Sequence, residues 1–187
     1  MTRAISALLL VAALAGGFWL FIQRGFSTRT PPGTLEAWAA NHMREWSVPA
    51  RYKAMRNPVQ CSSLPPHPAM AHWADHCATC HANNGDGTTM LGKTMYPRPP
   101  DMRQAMTQTQ TDGEIYYTIK NGVRLTGMPA FGEPGDNDLD SWTLVCFVRH
   151  LPRLTSDEAA EMKKLNPKTP EELEEESQEA DFLGKHQ

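Results

Sequence analysis

The chain has 187 residues, of which 40% are hydrophobic and 21% are charged, a composition close to that of average soluble domains. This excludes a protein with many membrane spans and a wholly disordered chain. The net charge of −3 argues against nucleic acid as a partner, because binding to phosphates requires a basic surface.

The N-terminus has the pattern of a membrane anchor or of a signal peptide. Ala4 to Ile22 is a run of nineteen uncharged residues, which as a helix is about 28 Å long, close to the thickness of the bilayer hydrocarbon. Ala13-Leu14-Ala15 offers a signal-peptidase site. Cleavage there would leave the apolar run Phe18 to Ile22 near the new N-terminus in water. We therefore favour a retained anchor, with a soluble periplasmic protein after cleavage as the alternative.

Capping signals and apolar periodicity predict helices and no strands, hence an all-α core with long loops. After a linker with Pro31-Pro32, one helix carries Leu35, Trp38, Ala39, His42 and Trp46 on one face. Residues 82–113 have a loop composition, rich in Gly, Pro, Asn and Thr. The predicted helices are residues 34–46, 68–80, 112–120 and 138–149, and two more after Thr155 and Thr169, which each begin a capping-box pattern.

The chemistry of the chain is predicted from Cys77-Ala78-Thr79-Cys80-His81. C-x-x-C-H is the attachment signature of c-type haem, because two thiols three residues apart can each bond one vinyl group and the following histidine can bind the iron. A redox C-x-x-C is typical of a βαβ surrounding, which is not predicted here. A zinc site needs a second ligand pair, which Cys61 and Cys146 do not supply at a suitable spacing.

Met128 is the candidate for the second axial ligand of the iron. It lies 47 residues after His81, between Gly127, which allows close approach of the backbone, and Pro129, which stiffens the loop. A histidine ligand in its place, or an open iron site as in a haem enzyme or gas sensor, are the alternatives. Four other methionines are expected to fill loops or core: Met90, Met95, Met102 and Met106.

From about Pro68 to Leu154 the chain resembles the class I c-type cytochromes with one haem. The matching segments are Cys77–His81, Gly85-Asp86-Gly87, Pro99-Pro100-Asp101-Met102, Gly127-Met128-Pro129 and the closing helix with Trp142. The resemblance implies a class I cytochrome c-like helical fold around one covalent haem c. Cys77 and Cys80 would be its thioether links, and His81 and Met128 its proximal and distal iron ligands. It also implies a seam between the first and last core helices, formed by His72, Trp73, His76, Trp142 and Phe147.

The resemblance implies two further contacts with the haem. Family members hold the second nitrogen of the ligand histidine with a proline carbonyl, which fixes its tautomer. Pro100 matches that position, with Met102 in place of the family's leucine, and Pro97 is the competitor. Arg98 is a candidate partner of a haem propionate, although an exposed arginine is the simpler interpretation.

Two regions of the chain allow more than one interpretation. Cys61 and Cys146 remain after haem attachment, and an oxidising compartment favours a disulfide between them. Cys146 also lies on the apolar stripe of Trp142, where a buried free thiol acts as a small hydrophobic residue, and we favour this second interpretation. Trp38, Trp46 and Tyr52 lie outside the standard fold and are expected to pack onto its surface.

The sequence therefore predicts an electron carrier and not an enzyme. Haem is attached on the periplasmic side of the bacterial inner membrane, so the haem domain is expected to face the periplasm, with redox proteins as donor and acceptor. The alternative is a fixed electron-transfer subunit of a larger membrane oxidoreductase complex, favoured by the extra terminal segments. We divide the chain into an anchor or signal (1–26), a linker and pre-core arm (27–66), a cytochrome c domain (67–154) and an acidic C-terminal extension (155–187).

Overall fold

The secondary structure is helical, as the sequence predicted. A computed structural model describes residues 2–63, 66–133 and 138–168, and also Glu174, Gln178 and Phe182. In this part of the chain no residue is in a strand, which confirms the all-α class. The capping box predicted at Thr169 lies outside the described residues, and Glu174, Gln178 and Phe182 in the segment after it are helical.

Ten α-helices follow one another along the described part of the chain. They are α1 (Thr2–Gln23), α2 (Thr34–Ser47), α3 (Ala50–Lys53), α4 (Pro66–His76), α5 (Ala78–His81), α6 (Met90–Thr94), α7 (Ala105–Gln108), α8 (Asp112–Asn121), α9 (Leu139–His150) and α10 (Ser156–Leu165). Residues 82–113, predicted to be loop, contain α6 and α7, which are each about one turn long. Such short helices show no apolar periodicity, so the sequence pattern could not reveal them.

Helix α1 is apolar and exposed along its length. Its segment Arg3–Gln23 is long and apolar enough to cross a membrane. A signal sequence at the N-terminus has the same length and composition, so α1 fits both interpretations of the N-terminus.

The core forms where α4, α8 and α9 pack together. The ring of Trp73 on α4 lies 5.4 Å from that of Phe147 on α9, and Tyr116 on α8 stacks on Trp142 at 4.0 Å. These four aromatic side chains are buried. The contact of Trp73 with Phe147 confirms the predicted seam for these two residues, whereas Trp142 packs on Tyr116 of α8. The prediction is wrong for His76, which is exposed at the end of α4.

The pre-core arm packs on the core through Tyr52 and not through its tryptophans. Tyr52 is buried, and its ring lies 4.8 Å from that of Tyr117. Trp38 and Trp46 are instead 53% and 67% exposed, so the expectation that they pack onto the core is wrong. Their ring partner is His42 of the same helix, at 4.5 Å from Trp38 and 5.6 Å from Trp46.

A disulfide between Cys61 and Cys146 joins the arm to α9. The favoured interpretation of Cys146 as a free thiol is therefore wrong. A 3-10 turn at Cys61–Ser63 brings the two Cα atoms to 5.2 Å, within the range that a disulfide needs. Asn57 supports this connection by donating a hydrogen bond to the Trp142 carbonyl oxygen at 3.1 Å.

Helix α10 begins at the predicted capping box, in which the Thr155 hydroxyl accepts from the Glu158 N–H and the Glu158 carboxylate accepts from the Thr155 N–H. The helix packs on α4, and its Met162 is fully buried. The Asn83 side chain donates to the Asn166 carbonyl at 3.0 Å, and the Asn166 side chain donates back to Asn83 at 2.8 Å. The segment after Leu154 therefore covers part of the core.

We expect Gly113→Ala to lower the free energy of unfolding by about 3 kcal/mol. An added Cβ at this position on α8 would overlap the Tyr52 carbonyl oxygen, and a rigid backbone cannot move aside as a side chain can. Thermal unfolding of the haem-loaded protein, followed by circular dichroism, measures the effect. Gly33→Ala is the matched control, because nothing lies within 4 Å of its added Cβ. Equal unfolding temperatures for the two variants would contradict the close packing of α3 on α8.

Candidate functional site

The C-x-x-C-H motif forms one helical turn that follows a break after α4. The Cys77 N–H donates to the Trp73 carbonyl at 2.8 Å, which continues α4, and the His81 N–H donates to the Cys77 carbonyl at 2.9 Å. Cys77 itself lies between the two helices. The prediction of one helix over 68–80 has the right end but misses the break at Cys77. After the break, Cys77, Cys80 and His81 lie on the same turn.

The cysteines of this turn differ from the other pair in the chain. Cys77 and Cys80 are free thiols, whereas Cys61 and Cys146 are bonded. Burial, and next the neighbouring Cys80, raise the pKa of Cys77 to about 12, and burial raises the pKa of Cys80. Both thiols are therefore uncharged and available at neutral pH.

The imidazole of His81 is buried and neutral. Burial lowers its pKa to about 4, so the ring keeps a free lone pair at neutral pH, as a metal ligand must. Its Nδ1 is buried and has no hydrogen-bond partner among the described residues. The Trp73 ring lies 5.9 Å from the His81 ring and limits where the imidazole can turn.

Close backbone contacts hold the loop that follows the motif. The Gly87 N–H donates to the His81 carbonyl at 2.9 Å. Helix α6 lies against the same backbone, because an added Cβ on Gly92 would be 2.8 Å from the Cys80 carbonyl oxygen and 2.6 Å from that of Gly87. Only glycine fits this position without moving the motif. The composition of residues 82–113 signalled loop, and the role of Gly92 was missed.

The segment with Pro100 is fixed beside this loop. The Met102 N–H donates to the Gly85 carbonyl at 2.8 Å, and the Gln108 side chain donates to the Met102 carbonyl at 2.7 Å. The expected hydrogen bond, which His81 Nδ1 would donate to the Pro100 carbonyl oxygen, is absent, since Nδ1 has no partner among the described residues. That bond stays a prediction for the protein with haem.

Arg98 and its neighbours extend this segment toward solvent. Arg98 is exposed and has no ion pair with a described residue, so its role at a propionate also stays a prediction. Arg103 was missed by sequence reasoning. Its guanidinium donates to both carboxylate oxygens of Asp101, at 2.8 and 2.9 Å, and chiefly this hydrogen bonding lowers the pKa of Asp101 to about 2.

The end of α8 positions the loop that carries Met128. We call residues 122–133 the distal loop. The Val123 N–H donates to the Met128 carbonyl at 3.1 Å, and the Gly132 N–H donates to the Lys120 carbonyl at 3.1 Å. Gly122 has φ +66, and an added Cβ would lie 2.7 Å from the Met128 carbonyl oxygen. The predicted helix stop at Asn121-Gly122 therefore also fixes the backbone of Met128, whose side chain is half-buried.

Two contacts connect the distal loop with the rest of the site. The Phe131 ring lies 5.9 Å from the ring of His76, which immediately precedes Cys77. An added Cβ on Gly127 would lie 3.1 Å from the sulfur of Met95, so a second methionine lies beside the loop of Met128. Both contacts join residues far apart in the sequence, and no local signal could have found them.

These residues fit a c-type haem. One turn presents two free thiols and a neutral, buried imidazole with an unpartnered nitrogen, which is the donor set that covalent attachment and iron ligation need. Met128 supplies a thioether from a loop held by backbone hydrogen bonds.

Residues 65–148 match the protein family described as cytochrome C oxidase, cbb3-type, subunit III. The matched range contains Cys77, Cys80, His81 and Met128 and ends within α9. No match was found among curated proteins or among solved structures.

Proposed function

We propose that the protein is an electron carrier with one haem, tethered by α1 to the periplasmic face of a bacterial inner membrane. Residues 65–148 form its c-type cytochrome domain, which implies haem-based electron transfer. The observation that carries the proposal is the turn of Cys77, Cys80 and His81, with its free thiols and neutral imidazole. When bound, haem supplies one-electron chemistry through an iron that changes between Fe(II) and Fe(III).

The residues of the site act as holders and not as reactants. Cys77 and Cys80 would hold the haem through thioether bonds, and His81 would bind its iron. Met128 is proposed as the second ligand of the iron, which would leave the iron no free site for a substrate or a gas. A thioether ligand also favours the reduced state and raises the reduction potential.

The compartment is supported by the disulfide and by α1. Disulfides persist in oxidising compartments such as the periplasm, and Cys61 and Cys146 are paired. Helix α1 is long and apolar enough to cross a membrane. A retained α1 would keep the cytochrome domain close to membrane-bound donors or acceptors.

A second candidate function is favoured by the family match. The matched family is named after a subunit of an oxidase, and helix α2, outside the matched range, exposes apolar side chains. Both observations suit an electron-transfer subunit that is fixed within a larger oxidoreductase complex.

Purification of the full chain from membranes in mild detergent tests the proposal. We expect the protein to pellet with membranes after a carbonate wash, to begin before Ala15, and to keep its colour after extraction with acid and acetone. The variant that combines Cys77→Ala with Cys80→Ala is the control, and we expect it to lack covalent haem. Pyridine haemochrome absorbance per protein chain counts the haems, and we expect one.

Each alternative has its own outcome in this experiment. Haem that leaves in acid and acetone would contradict covalent attachment. A mature chain that begins at Gly16 would contradict the tether and leave a soluble periplasmic carrier. Companion proteins present in a fixed ratio would support the subunit of a complex in place of the carrier.

A further inference from the structure

Helix α2 presents an apolar stripe that no other part of the described chain covers. We call Leu35, Trp38, His42 and Trp46 the aromatic stripe. Leu35 is 75% exposed, and each of the two tryptophans is more than half exposed. The His42 ring lies between the two indole rings, so the four side chains form one continuous surface. The helix has no buried residue, which is unusual for a helix with two tryptophans.

Contacts near the end of α2 connect it, through α3, to the cytochrome domain. Near the start of the helix, burial and then the Glu36 carboxylate raise the pKa of Tyr96, so its hydroxyl lies close to that carboxylate. Near its end, the Lys53 side chain donates to the Glu45 carbonyl at 3.0 Å, and Val48, just after the helix, is buried. The Lys53 side chain also pairs with Glu114 of α8 at 3.3 Å, so the end of α2 is connected to the core while its aromatic stripe remains exposed.

The position of α2 in the chain favours the membrane as the occupant of this stripe. Ten residues connect the end of α1 with the start of α2, which span at most about 35 Å when fully extended. Gly25 at φ +74 and a turn at residues 27–30 shorten this reach. If α1 spans the bilayer, α2 therefore lies close to its surface.

The composition of α2 and its surroundings matches that surface. Tryptophan is enriched at the boundary between headgroups and acyl chains, where its ring is apolar and its N–H can donate. Residues 24–60 carry a net charge of +4, which favours anionic headgroups. Helix α2 itself carries one arginine and two glutamates, and the excess of basic residues lies on either side of it. An amphipathic helix with an apolar stripe, flanked by basic residues, suits a position in the interface plane.

We propose that α2 is an interfacial helix that inserts the aromatic stripe between the headgroups of the outer leaflet. This rests on the proposed function only in that α1 is retained. Because Lys53 contacts both α2 and α8, insertion of α2 would limit the orientations of the cytochrome domain relative to the membrane. The domain would then present a fixed face to its redox partners.

Quenching of tryptophan fluorescence by brominated lipid tests this inference on the full haem-loaded chain. Trp19→Phe removes the tryptophan of α1. The protein is placed in vesicles of phosphatidylcholine and phosphatidylglycerol, with or without bromine on the acyl chains next to the headgroups. We expect bromine to reduce the emission at least threefold, and the bromine-sensitive part to disappear in a further variant with Trp38→Phe and Trp46→Phe. Trp73 and Trp142 are buried in the core and should not respond.

Two matched variants separate insertion from general effects. Leu35→Glu adds a charge to the aromatic stripe, and Ala40→Glu adds the same charge to the opposite side of α2; both positions are exposed. We expect Leu35→Glu to weaken the quenching at least threefold and Ala40→Glu to leave it unchanged.

The outcomes for α1 and α2 are distinguishable. A carbonate-resistant protein whose emission bromine does not change would overturn the inference and leave the tether intact. Quenching that is absent in pure lipid, together with shielding of α2 by a co-purified protein, would overturn it in favour of a subunit interface. Loss of carbonate resistance would contradict the tether alone. Quenching of Trp38 and Trp46 by the same vesicles would then still support insertion of α2, and its absence would overturn the inference.

Discussion

Met128→Ala is expected to let the reduced protein bind carbon monoxide rapidly at neutral pH, which the unmodified protein should not do. The reason is that this variant removes the proposed distal thioether and leaves an axial position open. Rapid mixing with carbon monoxide, followed by visible absorbance, measures the effect. The oxidised variant should also lose the weak near-infrared band of sulfur-to-iron charge transfer.

Met95→Leu is the control for this prediction. Met95 lies beside Gly127 of the distal loop, with its sulfur 3.1 Å from the position of an added Cβ. A leucine of similar volume should cost less than about 1.5 kcal/mol of stability and leave the near-infrared band unchanged. If Met95→Leu abolishes the band and Met128→Ala does not, the ligand assignment is wrong while electron transfer stands.

Gly122→Ala tests the support of the distal loop without removing the ligand. An added Cβ at φ +66 would press on the backbone of Met128 and Pro129, and a left-handed conformation is strained for alanine. We expect a weakened near-infrared band together with an intact haem attachment. An unchanged band would show that the end of α8 does not position Met128.

Replacing Cys61 and Cys146 together with alanine is expected to lower the free energy of unfolding by about 4 kcal/mol. The disulfide closes a loop with a sequence separation of 85 residues. Closing a loop of this length lowers the entropy of the unfolded chain and stabilises the folded state by about this amount. Urea unfolding of the haem-loaded protein, followed by circular dichroism, measures the difference. A reductant should destabilise the unmodified protein by a similar amount and have no effect on the double variant.

A thiol count decides the premise of this prediction. The haem-loaded chain, denatured without reductant, should show no free thiol, because two cysteines carry haem and two are paired. Two free thiols would contradict the disulfide and restore the interpretation of Cys146 as a buried hydrophobic residue.

Local signals in the sequence predicted most of the helices. The capping box at Thr155 and the stop at Asn121-Gly122 depend on side chains within three or four residues of the backbone groups they satisfy, so they could be identified without a structure. The turn of Cys77 to His81 is local in the same sense, since the spacing alone places both thiols and the imidazole together. The apolar residues Trp73, Trp142 and Phe147 followed from helical periodicity and the family resemblance.

Contacts between distant segments could not be predicted in this way. Cys146 lies on an apolar stripe, and only the position of Cys61 beside α9 decides between a thiol and a disulfide. Trp38 and Trp46 have the spacing of a buried face, but whether another element covers that face is a property of the whole fold. The contact of Met95 with Gly127 joins residues 32 positions apart and has no sequence signature.

The close packing of Tyr52 on Gly113 bears on where this domain can be cut. The recognisable family range begins at residue 65 and ends at 148. A fragment with those ends would lose Tyr52, the Cys61 partner of Cys146 and the buried Met162. It would expose apolar surface on two sides of the core and leave Cys146 as an unpaired thiol. A fragment from Val48 to Asn166 would keep these contacts, so the packed unit of this chain extends beyond the family range at both ends.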